Sequence, residues 1–327
     1  MLKRMRSFLV LVMLFIAVTM SAQVTTATMS GKVTAQDEPI IGATVVAVHE
    51  PSGTRYGTVT NVSGQFNLQG MRTGGPYKVE ISYVGYQTAI YKGINLLLGE
   101  NYVLNVSLKE SSELLDEVVV TASKESNMKS DRAGAVTNLT SAKIASIPTV
   151  SRSMNDIMRL SPQSNTTSNG FAAGGGNYRQ SFVTVDGASF NNAFGIGSNL
   201  PAGGAPISLD ALEQLSVSIT PYDVRQSGFT GAAINAVTKS GTNELTGSAY
   251  TFLTNNNLIG DRVGDGSIEL EKSHQYTYGA TLGGAIIKNK LFFFVNGEYE
   301  DDLTAGPVAR ARNNDGEKYG ENGIHRP

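Results

Sequence analysis

Histidines, cysteines and paired carboxylates are the side chains from which catalytic and metal sites are most often built, and this sequence arranges few of them usefully. The chain of 327 residues has no cysteine, which excludes disulfides, thiol nucleophiles and thiolate metal sites. Its three histidines, His49, His274 and His325, lie far apart, and none has a second ligand at metal spacing. Serine, aspartate and histidine all occur, yet no nucleophile-elbow motif supports a hydrolase triad. Asp261 and Asp265 in GDRVGDG lack the spacing and terminal glutamate of a calcium loop. The glycines of AAGGGN, residues 172–177, are followed by no Lys-Ser/Thr pair, so they cradle no phosphate and read as a flexible loop. The expectation is a protein that is not an enzyme and needs neither cofactor nor metal.

What remains is the chemistry of the backbone. Asp116, Glu117, Val118, Val119, Val120, Thr121 and Ala122 form a ribbon with a β-branched centre, followed by the polar KESNMKSDRAG. A strand of such propensity with nothing evident to pair with exposes N–H and C=O groups, a liability unless a partner is meant to take it. Two readings stand side by side. The ribbon follows a β-rich region directly, so it is one more strand of that sheet; or it is left unpaired to join the edge of another protein's sheet by β-augmentation.

The elements around the ribbon are expected to be mainly β. Gly, Tyr, Phe, Thr, Asn and Ser abound, and helix-forming runs are few. A net charge of −2 gives nucleic acid nothing to bind. Lys3, Arg4 and Arg6 precede an apolar run from Phe8 to Val18, too short to span a bilayer as a helix, so residues 1–22 read as a secretory signal peptide cleaved after Ala22. In residues 23–110, short β-rich runs alternate with turn signals about every 8 to 12 residues, the spacing of a β-sandwich. Gly64 in NVSGQF sits where a turn wants positive φ, with Phe66 returning to the core. In GATVVAVHE both alternating faces are apolar, as in a strand covered on both sides.

The stretches GKVTAQDEPIIGATVVA, TVTNVSGQFNL and YKVEISYVGYQT resemble the carboxypeptidase-regulatory-like domain. The resemblance implies a seven-stranded, transthyretin-like β-sandwich without catalysis. Beyond a linker at 111–130, residues 131–243 mix helix and strand. Ser151 and Ser153 are candidate N-caps of a short helix carrying Ile157, Met158 and Leu160 and closed by Pro162. Asp186-Gly187 ends the strand Phe182 to Val185 in a hairpin turn. Leu209 to Glu213 is expected to open a helix that runs into a strand from Leu215 to Ile219. Gly228, Gly231 and Ala232-Ala233 permit close backbone packing before the strand Ile234 to Thr238 and the turn Lys239-Ser240-Gly241.

From residue 244 onward the pattern becomes that of transmembrane strands. Tyr276, Tyr278, Ala280, Leu282 and Ile286 share one face, against Gln275, Thr277, Gly279, Thr281 and Gly283 on the other. KLFFFVNGEYE continues the alternation after the tight turn in IIKNK, and GSAYTFLTN precedes it as a first strand. Glu298, Glu300, Asp301 and Asp302 read as a solvated outer strand end rather than a lumen lining.

This order, with GAAINAVTKSGTN as its most specific stretch, resembles TonB-dependent outer-membrane receptors of the SusC/Oar-like kind, and VDGASFNNAFG leans toward the Oar-like branch. The resemblance implies an α+β plug domain at 131–243 and the first strands of a transmembrane β-barrel at 244–327. It also implies that Asp116 to Ala122 is the TonB box, whose partner is TonB with its energising ExbB/ExbD complex. The protein would sit in the outer membrane lipid, with sandwich and plug facing the periplasm, and pass an unknown ligand. A SusD-like lipoprotein lid is an optional partner that the Oar-like lean disfavours. An unclosed sheet in hydrocarbon would leave backbone groups unpaired at several kcal/mol each, and a barrel of about 22 strands needs several hundred more residues, so the chain is expected to be an N-terminal piece. The alternative from another class is a periplasmic or surface binding or adhesion module built on the sandwich.

Overall fold

The structure, a computed structural model, describes residues 25–110, 118–121, 136–149, 152–162, 164–167, 170–191, 207–219, 230–258, 262–263, 266–267 and 273–303. The signal-peptide reading, Asp116, Glu117, Ala122, Ser151, Gly228, Asp261, Asp265 and His325 lie outside the described residues.

Nine strands build a two-sheet sandwich. In one sheet β1 (Ala27–Ala35) pairs antiparallel with β2 (Glu38–Pro39) and β5 (Gln65–Met71), and in parallel with β8 (Asn101–Val103) and β9 (Val106–Ser107). In the other, β3 (Thr44–His49) lies between β4 (Thr54–Val59) and β6 (Gly74–Ser82), and β6 pairs with β7 (Ala89–Leu96). With β2 a short return after β1, and β8 and β9 two halves of one pass, this is the seven-strand arrangement the resemblance implied. Met29, Met71, Tyr77, Val79, Ile81 and Ile94 fill the space between the sheets, all at 1% exposure or less. Burying such side chains is worth about 1.5–3 kcal/mol each.

Local chemistry explains the details. The Asn61 side chain accepts from the amides of Ser63 and Gln65, an Asx turn that Gly64 completes at φ +71°, and Phe66 then enters the core. Farther along β5, Gly70 at φ +67° carries a bulge, so the buried positions run Phe66, Leu68, Met71 and the register against β1 shifts between Ala27 and Met29. In β3 only Val45, Ala47 and His49 are buried; Val46 and Val48 are half-exposed, so the strand is covered fully on one face rather than on both.

The ribbon is not unpaired. Val118–Thr121 forms β10, which lies in parallel beside β7 with Val118 opposite Ala89 and Thr121 opposite Lys92. It becomes the edge strand of the sheet ordered β10-β7-β6-β3-β4. The expectation of free N–H and C=O groups is corrected here: β7 would otherwise be an open edge itself, and the ribbon covers it.

The middle domain has its own core. Its sheet runs in the order β11 (Val136–Thr140), β16 (Leu212–Ser218), β17 (Ala233–Thr238), β14 (Phe182–Val185), β15 (Ala188–Ser189). A separate hairpin joins β12 (Ser164–Thr167) to β13 (Gly170–Ala173). The helices α1 (Ser141–Ser146) and α2 (Met154–Met158) accompany them. Ser153 caps α2, whose Ile157 and Met158 are buried, but Leu160 faces out at 47% exposure, beyond the helix end. Asp186 (φ +49°) and Gly187 (φ +84°) make the expected hairpin turn. Two expectations change. Leu209–Ala211 is a single 3-10 turn and the strand already begins at Leu212, because Leu212 and Leu215 are fully buried in the sheet. The AAGGGN segment is a tight turn, with Ala172 and Ala173 buried and Asn177 closing a capping box with Gln180 on the 3-10 helix Tyr178–Gln180.

The last described strands form a three-stranded sheet in the order β18 (Thr246–Asn255), β21 (His274–Ile287), β22 (Leu291–Leu303), while β19 (Arg262–Val263) and β20 (Gly266–Ser267) pair with each other. Among the described residues, those up to Gly247 with Thr281–Asn296 make one compact unit, and those of Ser248–Ala280 with 297–303 another. Tyr278, Leu282 and Ile286 of β21 and Leu291, Val295 and Tyr299 of β22 are all exposed, between 47% and 67%, while Thr277 and Gly283 on the opposite face are buried. His274 is the first residue of β21. No described helix is long and apolar enough to cross a membrane, which leaves strands untouched as a means of crossing.

Candidate functional site

The described part of the ribbon, Val118–Thr121, pairs with one strand among the described residues, β7. The sandwich delivers it there. Glu110 bridges Tyr86, and the Gln87 amide donates to Lys109 O at 2.9 Å, so the chain leaves the sandwich beside the start of β7. The ribbon then runs in the same direction as β7 from Ala89 to Lys92.

The far end of β7 is gripped by the middle domain. Gln214 of β16 is 2% exposed; its Nε2 donates to Leu96 O at 2.9 Å, and its Oε1 accepts from the Leu98 amide at 2.8 Å. Nearby, Asn138 Nδ2 of β11 donates to Glu100 Oε1 at 2.6 Å. One strand therefore carries the ribbon along its edge and docks the middle domain at its end.

A shallow cleft beside this junction is lined in part by His49, Arg72, Glu213, Thr238, Ser240 and Thr242. Its charged groups are constrained. Burial, and secondarily the Arg72 cation, lower the His49 pKa from 6.5 to about 4, and its Nδ1 shares a hydrogen bond with Ser52 Oγ at 2.7 Å. The ring packs on Tyr77 with centroids 5.0 Å apart, so His49 is a core residue of the sandwich. Burial raises the Glu213 pKa, against the opposing pull of Lys239 and Arg72. Among the described residues no cluster of three His, Asp or Glu is placed to hold a metal.

The end of the middle domain is tied by residues of the GAAINAVTKSGTN stretch. Asp186, beyond shaping its hairpin turn, accepts from the Thr238 amide at 2.9 Å and from its hydroxyl at 2.7 Å. Gly241 passes so close to the β21–β22 hairpin that a Cβ there would lie 2.2 Å from Phe293 O and 2.4 Å from Gly284 O. Asn243 then donates to Pro51 O at 2.9 Å and clasps Asn289, the positive-φ residue of the hairpin turn, through two hydrogen bonds of 2.8 Å. A glycine and an asparagine are required because backbone must pass backbone and an amide must serve as donor and acceptor together.

Residues 28–109 match the carboxypeptidase regulatory-like domain family, and residues 237–310 match an outer membrane β-barrel domain family. Over 152 residues, 44% of the chain, the sequence is 32% identical to the TonB-dependent transporter Oar of Myxococcus xanthus. The resemblance to TonB-dependent receptors holds. The chain carries a regulatory-like sandwich and a stretch of outer-membrane barrel, and it spans 14% of the length of that transporter. Among solved structures, the siderophore receptor PirA of Pseudomonas aeruginosa is 23% identical at a TM-score of 0.40, over 53% of this chain and 28% of that one. A chain of a type II cohesin–X-dockerin complex from Acetivibrio cellulolyticus is 18% identical at a TM-score of 0.22, over 28% of this chain and 63% of that one. Neither structural likeness carries an argument about function.

Of the ribbon residues singled out by sequence, the structure brings Val118, Val119, Val120 and Thr121 together on the β7 edge. Sequence reasoning missed Gln214 altogether. A glutamine at an inward position of a strand otherwise reading as core, between Leu212 and Leu215, was the available signal.

Proposed function

We propose that the chain is part of a TonB-dependent outer-membrane receptor in which the middle domain is the plug and Asp116 to Ala122 is the TonB box. The observation that carries this reading is the exposed apolar face of β21 and β22, which follows directly on a middle domain anchored to their turn through Gly241 and Asn243. Exposed Tyr278 and Leu282 on β21, whose other face is small or polar, and exposed Val295 and Tyr299 on β22, whose other face carries Phe292 and Phe294 before Asn296 and Glu298, suit a wall between lipid and a filled lumen. The similarity to a TonB-dependent transporter supports the same reading.

In this reading an external ligand binds on the outer side, and TonB, energised by ExbB/ExbD at the inner membrane, takes the box as an added strand of its own sheet. Force along the ribbon reaches the plug through the residues that follow, and a part of the plug with low local stability yields to open a path. The test is capture of the C-terminal periplasmic domain of TonB by the full chain and by a chain lacking residues 116–122. The deletion should abolish capture while the sandwich stays folded by circular dichroism; capture that persists refutes the assignment.

A further inference from the structure

The sandwich has a fastened end and a free end. At the fastened end Pro51 O accepts from the Asn243 amide, and Leu96, Leu98 and Glu100 meet the middle domain. At the free end lie the loops before β3, after β4 and after β6, and strand register gathers them: Thr44 stands between Val59 of β4 and Ser82 of β6. The Gly42 amide donates to Thr60 O at 3.0 Å and the Thr60 hydroxyl to Ile40 O at 2.6 Å, which ties the first two loops together. Of the six large apolar side chains that the sandwich leaves exposed, five are at this end: Ile41, Val59, Val62, Tyr83 and Val84, the last at 92%. Single exposed apolar residues are ordinary on a surface, but five gathered at one end of a small module form a patch of the kind that marks an interaction site.

The same end releases the ribbon. Tyr86, whose ring lies 5.7 Å from that of Tyr83 between centroids, bridges Glu110, and Glu110 also accepts from Gln36 Nε2 at 3.2 Å. The row Val45, Ile81, Ala89, Val118 then sets the start of the described ribbon one row in from Thr44 and Ser82. Asp37, Glu38 and Glu110 are exposed around the patch and outnumber Lys109, and Asp116-Glu117 leads into the ribbon itself. We propose that this free end is a second contact surface for the partner that takes the ribbon, met by an apolar face of that partner flanked by Lys and Arg. This rests on the reading of the ribbon as the TonB box, so the partner is the C-terminal periplasmic domain of TonB. One partner reaches both because a folded domain of about 100 residues has a radius of gyration of about 13 Å, whereas neighbouring strands stand about 4.8 Å apart. A domain paired with a ribbon that begins at this end therefore overlies the Tyr83–Tyr86 loop. The second surface supplies what strand addition does not: backbone pairing is nearly blind to side chains, while an apolar centre with a charged rim adds affinity, steers the encounter and selects the partner.

The test measures capture of the TonB C-terminal domain by the full chain with Val62→Lys and Val84→Lys, and by a counterpart with Val62→Glu and Val84→Glu. Both side chains are exposed, so both pairs should keep the wild-type thermal midpoint. The lysine pair should weaken capture at least about tenfold, as when one central interface side chain is lost. The glutamate pair removes the same apolar surface but keeps the sign of the rim, and should lose less. Equal losses in the two pairs overturn the basic character of the partner's face. Should a pair fail to fold, the wild-type chain answers instead: the amides of residues 60–63 and 83–86 should exchange more slowly once the TonB domain is added, and unchanged exchange there overturns the proposal. Wild-type capture by both pairs, with capture still abolished on deleting residues 116–122, overturns the second surface and leaves the box assignment standing. Loss of self-association in the pairs at unchanged capture overturns it in favour of a second copy of this chain. Capture that survives the deletion refutes the box assignment and this inference with it.

Discussion

Replacing Gln214 with leucine should detach the sandwich from the middle domain without unfolding either. The side chain makes two buried hydrogen bonds, to Leu96 O at 2.9 Å and from the Leu98 amide at 2.8 Å. Leucine keeps most of the volume but removes both partners, leaving one carbonyl and one N–H buried and unpaired. Each orphaned group costs about 1–3 kcal/mol. Because the junction can open to water, the lower half of the summed range applies, about 3 kcal/mol, which is roughly a hundredfold in the docking equilibrium. Hydrogen exchange reads this directly, since the Leu98 amide is protected by Gln214 itself. In the variant the Leu98 amide should exchange about a hundredfold faster, while the amides of Val45 and Val79 in the sandwich core keep their rates. A Leu98 rate that does not move would refute the reasoning. So would equal acceleration throughout the sandwich, which would mean that Gln214 supports the fold and not the docking.

Two predictions concern pH and have opposite signs. The His49 pKa is lowered from 6.5 to about 4 in the fold, so the unfolded chain takes up the proton first; stability is complete above pH 6.5 and is lost as pH falls toward 4, by at most about 3 kcal/mol. Urea midpoints between pH 4 and 7 should show this slope, and His49→Gln, which can still bond Ser52, should flatten it. The Glu213 pKa is raised by burial, so the folded carboxyl keeps its proton above the unfolded value of 4.5 and stability falls as pH rises through the folded pKa. Glu213→Gln mimics the protonated form and should raise the thermal midpoint at pH 7, with the gain over wild type vanishing below pH 4.5; a lower midpoint at pH 7 would show that attraction to Lys239 and Arg72 outweighs burial.

Much of the chain was legible because its signals are short. Asn61 and Gly64 specify their turn within five residues, Asp186-Gly187 within two, and the alternation of Tyr276 to Leu282 declares an exposed apolar face through its period alone. Where the local pattern was ambiguous the expectation failed. Leu209 to Glu213 satisfies a helical spacing as well as a strand start, and only the sheet that buries Leu212 and Leu215 decides between them. Val46 and Val48 look like core residues until the sandwich closes on the other face of β3.

From its residues alone the chain declares a mainly β protein with a sandwich, a mixed middle domain and barrel-like strands, since β-branched runs, turn residues and period-two patterns act over a few positions. What lies against what was decided in three dimensions. The ribbon's own residues announce a strand, but its neighbour depends on where the folded sandwich releases the chain, and the Tyr86–Glu110 bridge sets that point beside the open edge of β7. Gln214 meets Leu96 across a separation of 118 residues. No window along the sequence contains both partners, and their pairing arises only because a buried amide, a carbonyl and an N–H must satisfy one another where water is excluded.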